Sequence, residues 1–414
     1  MSSGGLLQLV AFGSQDVYLT GSPQITFWRV VYRRHTNFAM ESMEQTFSGT
    51  ADFGRRVTCL VARNGDLIFH GYIQIDLPSI TAASGNVSWT RNIGHVIIDY
   101  ISVEIGGAVI DQHYGIWFNI YNELTQTAEK EEGYSVMIGN TTTLTTPAST
   151  IPAASLSLPL IFWFNRNPGL ALPLIALMYH DVKINISFRP YTDCIIGTPA
   201  ATPVLSNCTL YLDYVFLDAP ERRMFSQMNH EYLIECLQFQ GANAYSNSSV
   251  RQTLNFSHPC KELIWVIQPD ANVVSGANRW VDYTDSGSGS SSTYYAGNNV
   301  MVSGKIQLNT HDRISTRPAS YFNLMQPYNH HTRIPATGIY VYSFAIKPEE
   351  HQPSGSLNMS RIDGVQILMT LSTGSSPVQV YAFAVNYNVL RITSGINRNN
   401  VTTCTQQLTA LYVS

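Results

Sequence analysis

The stretch PEEHQPSGSLNMSRID, from Pro348 to Asp363, carries side chains that could do chemistry. Glu349 and Glu350 precede His351, Ser354 sits beside Gly355, and Arg361 and Asp363 follow. Hydrolysis by such a set requires a serine within hydrogen-bond reach of a histidine, and a third group to orient that histidine. The G-x-S-x-G elbow that would present a nucleophile is absent. Turn chemistry is present instead. Pro353 fixes its own φ, Gly355 can take a positive φ, and Ser354 can bond its neighbours' backbone. Asn358, Ser360 and Asp363 can satisfy backbone groups where the chain re-enters a sheet, and Arg361 can pair with a carboxylate. The stretch reads as a rigid connection, and no catalytic residue is assigned to it.

Other donor groups lead no further. His258 and Cys260 in SHPCKEL, and the pair His330–His331, are metal-ligand types. No third and fourth ligand follows at a familiar spacing, and adjacent histidines on a strand point to opposite faces, so no metal site is assigned. RVVYRRHTNF (Arg29 to Phe38) interleaves basic and aromatic residues, a pattern that can hold single-stranded nucleic acid. It has no second basic face, and the formal charge of the chain is −4, so direct nucleic-acid contact is not expected. EKEE (Glu129 to Glu132) reads as a solvated helix end, and no Gly-rich phosphate loop follows any strand. Asn-x-Ser/Thr occurs at Asn86, Asn140, Asn185, Asn207, Asn247, Asn255, Asn358 and Asn400. Asn185 falls inside a strand pattern, and the set is taken mostly as coincidence.

The elements that would position these residues are strands. VKINISF sets Val182, Ile184, Ile186 and Phe188 on one face, VQILMTL does so with Val365, Ile367, Met369 and Leu371, and ISVEI with Ile101, Val103 and Ile105. In YAFAVNYNVL, Tyr381, Phe383, Val385, Tyr387 and Val389 alternate with small or polar residues. Period two over such windows means half-buried antiparallel strands. One stretch, near Trp117 to Lys130, reads as a helix with Asn119 or Asn122 as its cap. Two stretches read as surface loops unable to pack a core: Gly139 to Pro159 and Asp282 to Asn299.

The chain repeats its order of features. VEIGGAVIDQ (Val103 to Gln112) resembles IQLNTHDRI (Ile306 to Ile314), and each precedes an aromatic pair, Trp117-Phe118 or Tyr321-Phe322. IFWF and then HDVKINI in the first half match YSFAI and then DGVQILM in the second. Two similar all-β sandwiches, joined near DAPERRMF (Asp218 to Phe225), account for this.

Charged residues are 13% of the chain and aromatics 11%. A chain with that few charges, about half the usual ~25%, either hides surface against copies of itself or has a large aromatic core. Six widely scattered cysteines with no C-x-x-C pair read as buried thiols in a reducing compartment. The start, MSSGGLLQLVAFGSQD, has no basic n-region, and the longest apolar run, Leu170 to Tyr179, is broken by Pro173. The chain is expected to be soluble and cytosolic when made.

GGLLQLVAFGSQDVYLTGSPQITFWRVVYRRHTNFAMES resembles the N-terminal segment of the major capsid proteins of the nucleocytoplasmic large DNA viruses. So do RNGDLI, NPGLALPLIALMYHDVKI and YVFLDAPERRMFSQMNHEYLIE, and, in the second half, KIQLNTHDRISTRPASYFN, GIYVYSFAIKPEEHQPSGSLNMSRID and NYNVLRITSG. The likeness runs from near residue 4 to near residue 396 and is nearest to viruses that infect algae. It implies an all-β chain of two consecutive eight-stranded jelly rolls: an arm at 1–24, a first roll at 25–217, a linker at 218–225 and a second roll at 226–414. It further implies a structural role without enzymatic activity or cofactor. Homotrimers would form pseudo-hexagonal capsomers that tile an icosahedral virion shell, with minor capsid proteins and components of an inner viral membrane as partners. Assembly would take place in the host cytoplasm. The segments Gly139 to Pro159 and Asn272 to Asn299, and the tail after Gly395, depart from the family pattern. The arm is expected outside the sandwich core, and the loop around Gly287 to Ser290 on the outer face of the shell. A glycan-binding β-sandwich lectin is the alternative, and a hydrolase ranks last.

Overall fold

The computed structural model describes residues 34–274, 276–285, 297–372 and 377–392, with 7, 10–11, 13–24 and 27–28 near the N-terminus. Met1–Phe38 and Ala39–Ser414 are separate compact units. In the first, a single helical turn spans Val17–Thr20. The basic run at 29–33, the loop at 286–296, Cys404, Asn400 and the C-terminal tail lie outside the described residues.

The larger unit is two antiparallel sandwiches. The strands of the first are β1 (Phe38–Gln45), β2 (Arg56–Leu60), β3 (Leu67–Leu77), β4 (Ile98–Ile105), β5 (Ala108–Tyr114), β6 (Ala154–Pro159), β7 (Val182–Phe188) and β8 (Asn207–Leu217). They form two sheets, in the orders β1-β8-β3-β6 and β2-β7-β4-β5. The second sandwich has β9 (His230–Tyr245), β10 (Ser249–Leu254), β11 (Pro259–Pro269), β12 (Met301–Leu308), β13 (His311–Asp312), β14 (Ile339–Ser343), β15 (Val365–Leu371) and β16 (Val378–Ile392). Its sheets run β9-β16-β11-β14 and β10-β15-β12-β13, so each strand takes the place of its counterpart in the first. Short two-residue strands extend all four sheets. Two packed sheets whose first and last strands are neighbours are a jelly roll. The chain is therefore a double jelly roll, as the resemblance implies, and its two halves are the two similar sandwiches of the internal echo.

Alternation explains the cores. Val182, Ile184, Ile186, Ile101, Val103 and Ile105 are all buried in the first core, and Ile184 pairs with both Val103 and Cys59. Val365, Ile367, Met369 and Leu371 line the second. β16 behaves differently from a half-buried strand. Its small side chains, Ala382 and Ala384, face the second core, while Phe383 and Val385, which the sequence marks as the apolar face, point out of the sandwich. They are buried all the same, against helix α1 (Gly115–Thr125) of the first roll, through Ile116, Trp117, Ile120 and Leu124.

Three expectations need correction. The helix near Trp117 to Lys130 is two helices, α1 and α2 (Ala128–Met137), broken at Gln126-Thr127. Neither Asn119 nor Asn122 caps it: α1 starts after Tyr114, and Asn119 is fully buried, accepting a hydrogen bond from Asn92 at 2.8 Å. The stretch Gly139 to Pro159 is not a surface loop. Leu156 and Leu158 lie in β6, paired with Ile75 and Ile73 of β3, and Leu144 and Ile151 are buried beside them. The period-two run Leu156, Leu158, Leu160 was the overlooked signal, masked by the small residues around it. In the third case the start of Asp282 to Asn299 belongs to the interior, since Asp282 and Tyr283 are fully buried. The segment joining the rolls is itself a helix, α3 (Ala219–Gln227), whose first turn Asp218 caps by accepting from the Ala219 amide at 2.7 Å.

Candidate functional site

The chemistry-bearing side chains converge on the seam between the rolls. Glu235, from β9, accepts from Arg166 at 2.9 Å and pairs with Lys261 of β11 at 2.8 Å. Arg166 comes from the first roll, on the helical turn Trp163–Arg166, so this triad bridges both halves. Lys261 is 2% exposed and also donates to the Pro348 carbonyl. Burial lowers its pKa, against the opposing pull of Glu235 and Glu262.

The next residue, Glu262, meets His331 at 3.1 Å, and the other ring nitrogen of His331 lies 2.9 Å from Glu349. Burial alone would lower the His331 pKa, but the two carboxylates outweigh it and raise it to about 9. Burial pushes Glu262 up, while His331, Lys261 and Arg166 pull it below the ordinary carboxylate value on balance. Glu349 also accepts from the amide and hydroxyl of Thr332. The backbone then straps onto the first roll. The Arg333 amide donates to Leu124 at 3.1 Å, the Arg333 guanidinium meets Glu131 at 2.7 Å, and the Ala336 amide donates to Glu123 at 3.2 Å. Asp111 of β5 accepts from the Leu237 amide of β9 at 3.0 Å.

The arrangement ties the two rolls together, and the side chains of the Pro348–Asp363 stretch serve its turns. Ser354 Oγ accepts from the Lys347 amide at 2.9 Å and donates to the Lys347 carbonyl at 3.3 Å. Among the described residues it makes no hydrogen bond to His351. Glu350 pairs with Lys347 at 2.7 Å. Arg361 is exposed and, among the described residues, makes no ion pair, contrary to the carboxylate partner the sequence suggested. Gly355 has φ +143°, and a Cβ there would lie 2.8 Å from the Phe344 carbonyl oxygen. Gly355→Val should therefore cost about 2 kcal/mol, from backbone strain plus a backbone collision. Ser354→Ala, at an exposed turn, should cost well under ~1 kcal/mol. Equal melting temperatures for the two variants would refute the clamp.

The four residues of metal-ligand type have separate surroundings. His330 contacts the Ile346 carbonyl at 2.9 Å, Cys260 Sγ donates to the Glu262 carbonyl, and His258 has φ +65°. His330 and His331 sit at a helix end, not on a strand as the opposite-faces argument assumed. No group of three or more His, Cys, Asp or Glu suited to a metal occurs among the described residues. The five described cysteines form no disulfide, and burial raises the thiol pKa of Cys59 to about 11. Asn185, within β7, donates to Glu104 and accepts from Thr58.

Sequence reasoning missed Arg166, Glu235 and Lys261. The available signal was a charge inside an apolar strand run, as in LIECLQF and PCKELIWVI. Buried charges are retained only when paired.

The comparisons agree with this architecture. Residues 26–218 match the family described as major capsid protein N-terminus, and residues 221–397 match the large eukaryotic DNA virus major capsid protein family. The major capsid protein of Pyramimonas orientalis virus is 48% identical, covering 95% of this chain and 98% of its own length. That of Phaeocystis pouchetii virus is 43% identical over the same shares. A chain of the PBCV-1 virus capsid superposes with a TM-score of 0.75 at 33% identity, covering 90% of this chain and 98% of its own. The Faustovirus major capsid protein, at 13% identity and a TM-score of 0.79, shares the fold. The chain belongs to the major capsid protein family of large eukaryotic DNA viruses.

Proposed function

We propose that the chain is the building block of an icosahedral virion shell, and that three copies associate into a pseudo-hexagonal capsomer of six jelly rolls. The likeness to a PBCV-1 capsid chain, over 90% of this chain, carries the reading. The ionic seam supports it, because a lattice tile must keep its two rolls in fixed register. The glycan-binding alternative is set aside, since the likeness runs the length of capsid proteins. The boundaries given above, an arm at 1–24 and rolls at 25–217 and 226–414, remain part of the proposal, as do minor capsid proteins and inner-membrane components as neighbours and assembly in the host cytoplasm.

Light scattering on the size-exclusion peak tests it. Three chains of 46.0 kDa weigh about 138 kDa, and an obligate interface should bury more than ~2,000 Å². A 46.0 kDa peak at micromolar concentration contradicts the reading. Deleting residues 1–24 should preserve this peak while impairing shell assembly.

A further inference from the structure

A cleft of about 420 Å³ opens in the seam, walled by side chains of both rolls. Its size falls in the ~300–1,000 Å³ range of small-molecule sites. Two irregular ladders shape it. Between β7 and β4 the pairing steps from Ser187–Tyr100 to Phe188–Ile98, so Asp99 has no partner residue on β7. Between β9 and β16 it steps from Gln240–Ala382 to Asn243–Val380, so Gly241 and Ala242 together oppose the single residue Tyr381. Asp99, Ala242 and Tyr381 all line the cleft. Bulges re-aim side chains and collect beside functional sites. Here one in each roll opens onto the same space.

The walls are aromatic and the charges between them are unspent. Tyr114 of the first roll and Phe239 of the second have ring centres 4.3 Å apart, and Phe239 stacks on Tyr381 at 6.2 Å. Trp280, from the second roll, donates to the Asp193 carbonyl at 2.9 Å and covers the Arg189 guanidinium at 4.3 Å. The Arg189 backbone is pinned at the end of β7, where its amide donates to Ile97 at 2.9 Å. Its Nε is buried with no hydrogen-bond partner, and none of the arginine ion pairs among the described residues includes it. Asp99 and Asp193 line the same cleft, each half-buried. Among the described residues their carboxylates accept only from the Ser187 hydroxyl at 3.4 Å and the Thr192 hydroxyl at 3.2 Å. One cation and two carboxylates thus share a cleft without pairing with one another.

We infer that the cleft binds a small zwitterion with an aromatic body, of the α-amino-acid class, with its carboxylate on Arg189, its ammonium on Asp99 or Asp193 and its ring against the aromatic walls. A simple anion would face two carboxylates there, and a simple cation would face the guanidinium. A molecule carrying both charges satisfies each of them. The rings supply the apolar contact that holds such a body. Because both rolls line the cleft, an occupant fastens the seam at a second place and stabilises the folded chain by mass action.

Titration calorimetry of the intact protein with L-phenylalanine tests this, beside phenylpropionate, which lacks the ammonium, and phenethylamine, which lacks the carboxylate. The expected result for phenylalanine is one saturable site per chain with Kd below about 1 mM. Either analogue should bind at least about tenfold more weakly, for want of one charged contact. Phenylalanine should also raise the melting temperature as its concentration rises. Absence of saturable binding, or an analogue that binds as tightly as phenylalanine, overturns the inference. Two variants locate the site. Ala242→Trp, at an exposed bulge position, fills the cleft, and Arg189→Gln removes the charge while keeping a stem beside Trp280. Both should keep the far-ultraviolet dichroism spectrum and weaken phenylalanine binding about tenfold or more. Unchanged affinity in either folded variant places the ligand elsewhere and overturns the cleft. Should one variant fail to fold, the other decides.

Discussion

Glu235→Leu is expected to destabilise the chain by about 3–5 kcal/mol, the largest loss of any single replacement considered. The carboxylate lies between Arg166 at 2.9 Å and Lys261 at 2.8 Å, with its side chain 7% exposed. Leucine fills the space but strands Lys261 where water cannot reach it, and leaves Arg166, about a quarter exposed, without its carboxylate. Truncating one partner of a buried pair costs more than the pair was worth, because the survivors keep their desolvation penalty. For a unit the size of one roll, such a loss lowers the melting temperature by roughly 10 °C. Adding Lys261→Met to Glu235→Leu should recover part of it, since one stranded charge disappears. No recovery, or an effect below ~1 kcal/mol for the single variant, would show that the triad does not hold the rolls together.

The second large effect is on pH. His331 has its folded pKa raised to about 9 from an ordinary 6.5. A raised folded pKa stabilises fully below the unfolded value, so this contribution is complete below about 6.5 and disappears as pH climbs through about 9. The shift corresponds to at most ~3 kcal/mol. Glu262 works in the other direction. Its folded pKa is lowered from 4.5, so its contribution is present above about 4.5 and is lost as pH falls through the lowered value. Between them the two groups give a plateau from about 4.5 to 6.5, with stability declining on both sides. His331→Gln should remove the alkaline decline and lower the plateau. Denaturation midpoints measured from pH 4 to pH 10 check this, and an alkaline limb that persists in His331→Gln would assign it to another group.

The β-strands were legible because period two survives in the residues themselves, as in Val182 to Phe188 and Val365 to Leu371. The duplication was legible in the shared order of hairpin, aromatic pair and loop. The seam was not. Phe383 and Val385 alternate like any core face, and nothing local tells that they pack against a helix more than two hundred residues earlier. His331 looked like a weak metal ligand because its partners, Glu262 and Glu349, reach it only through the fold. The turn chemistry around Gly355 was readable, since a positive φ is a local requirement. The ion-pair expectation for Arg361 failed for the opposite reason, being a matter of tertiary placement.

Helix α1 has its own consequence in time. Ile116, Trp117, Ile120 and Leu124 are covered by strands of the second roll, and the last of these among the described residues ends at Ile392. The first roll is chemically complete at Leu217, about 175 residues sooner. At ~5–20 residues per second, that leaves a bare tryptophan-bearing stripe for roughly 10–35 s on every nascent chain. Synthesis of such a chain at capsid quantities would then load the host's chaperones with half-finished molecules, and slowing elongation between Leu217 and Ile392 should raise the insoluble fraction more than slowing it anywhere earlier.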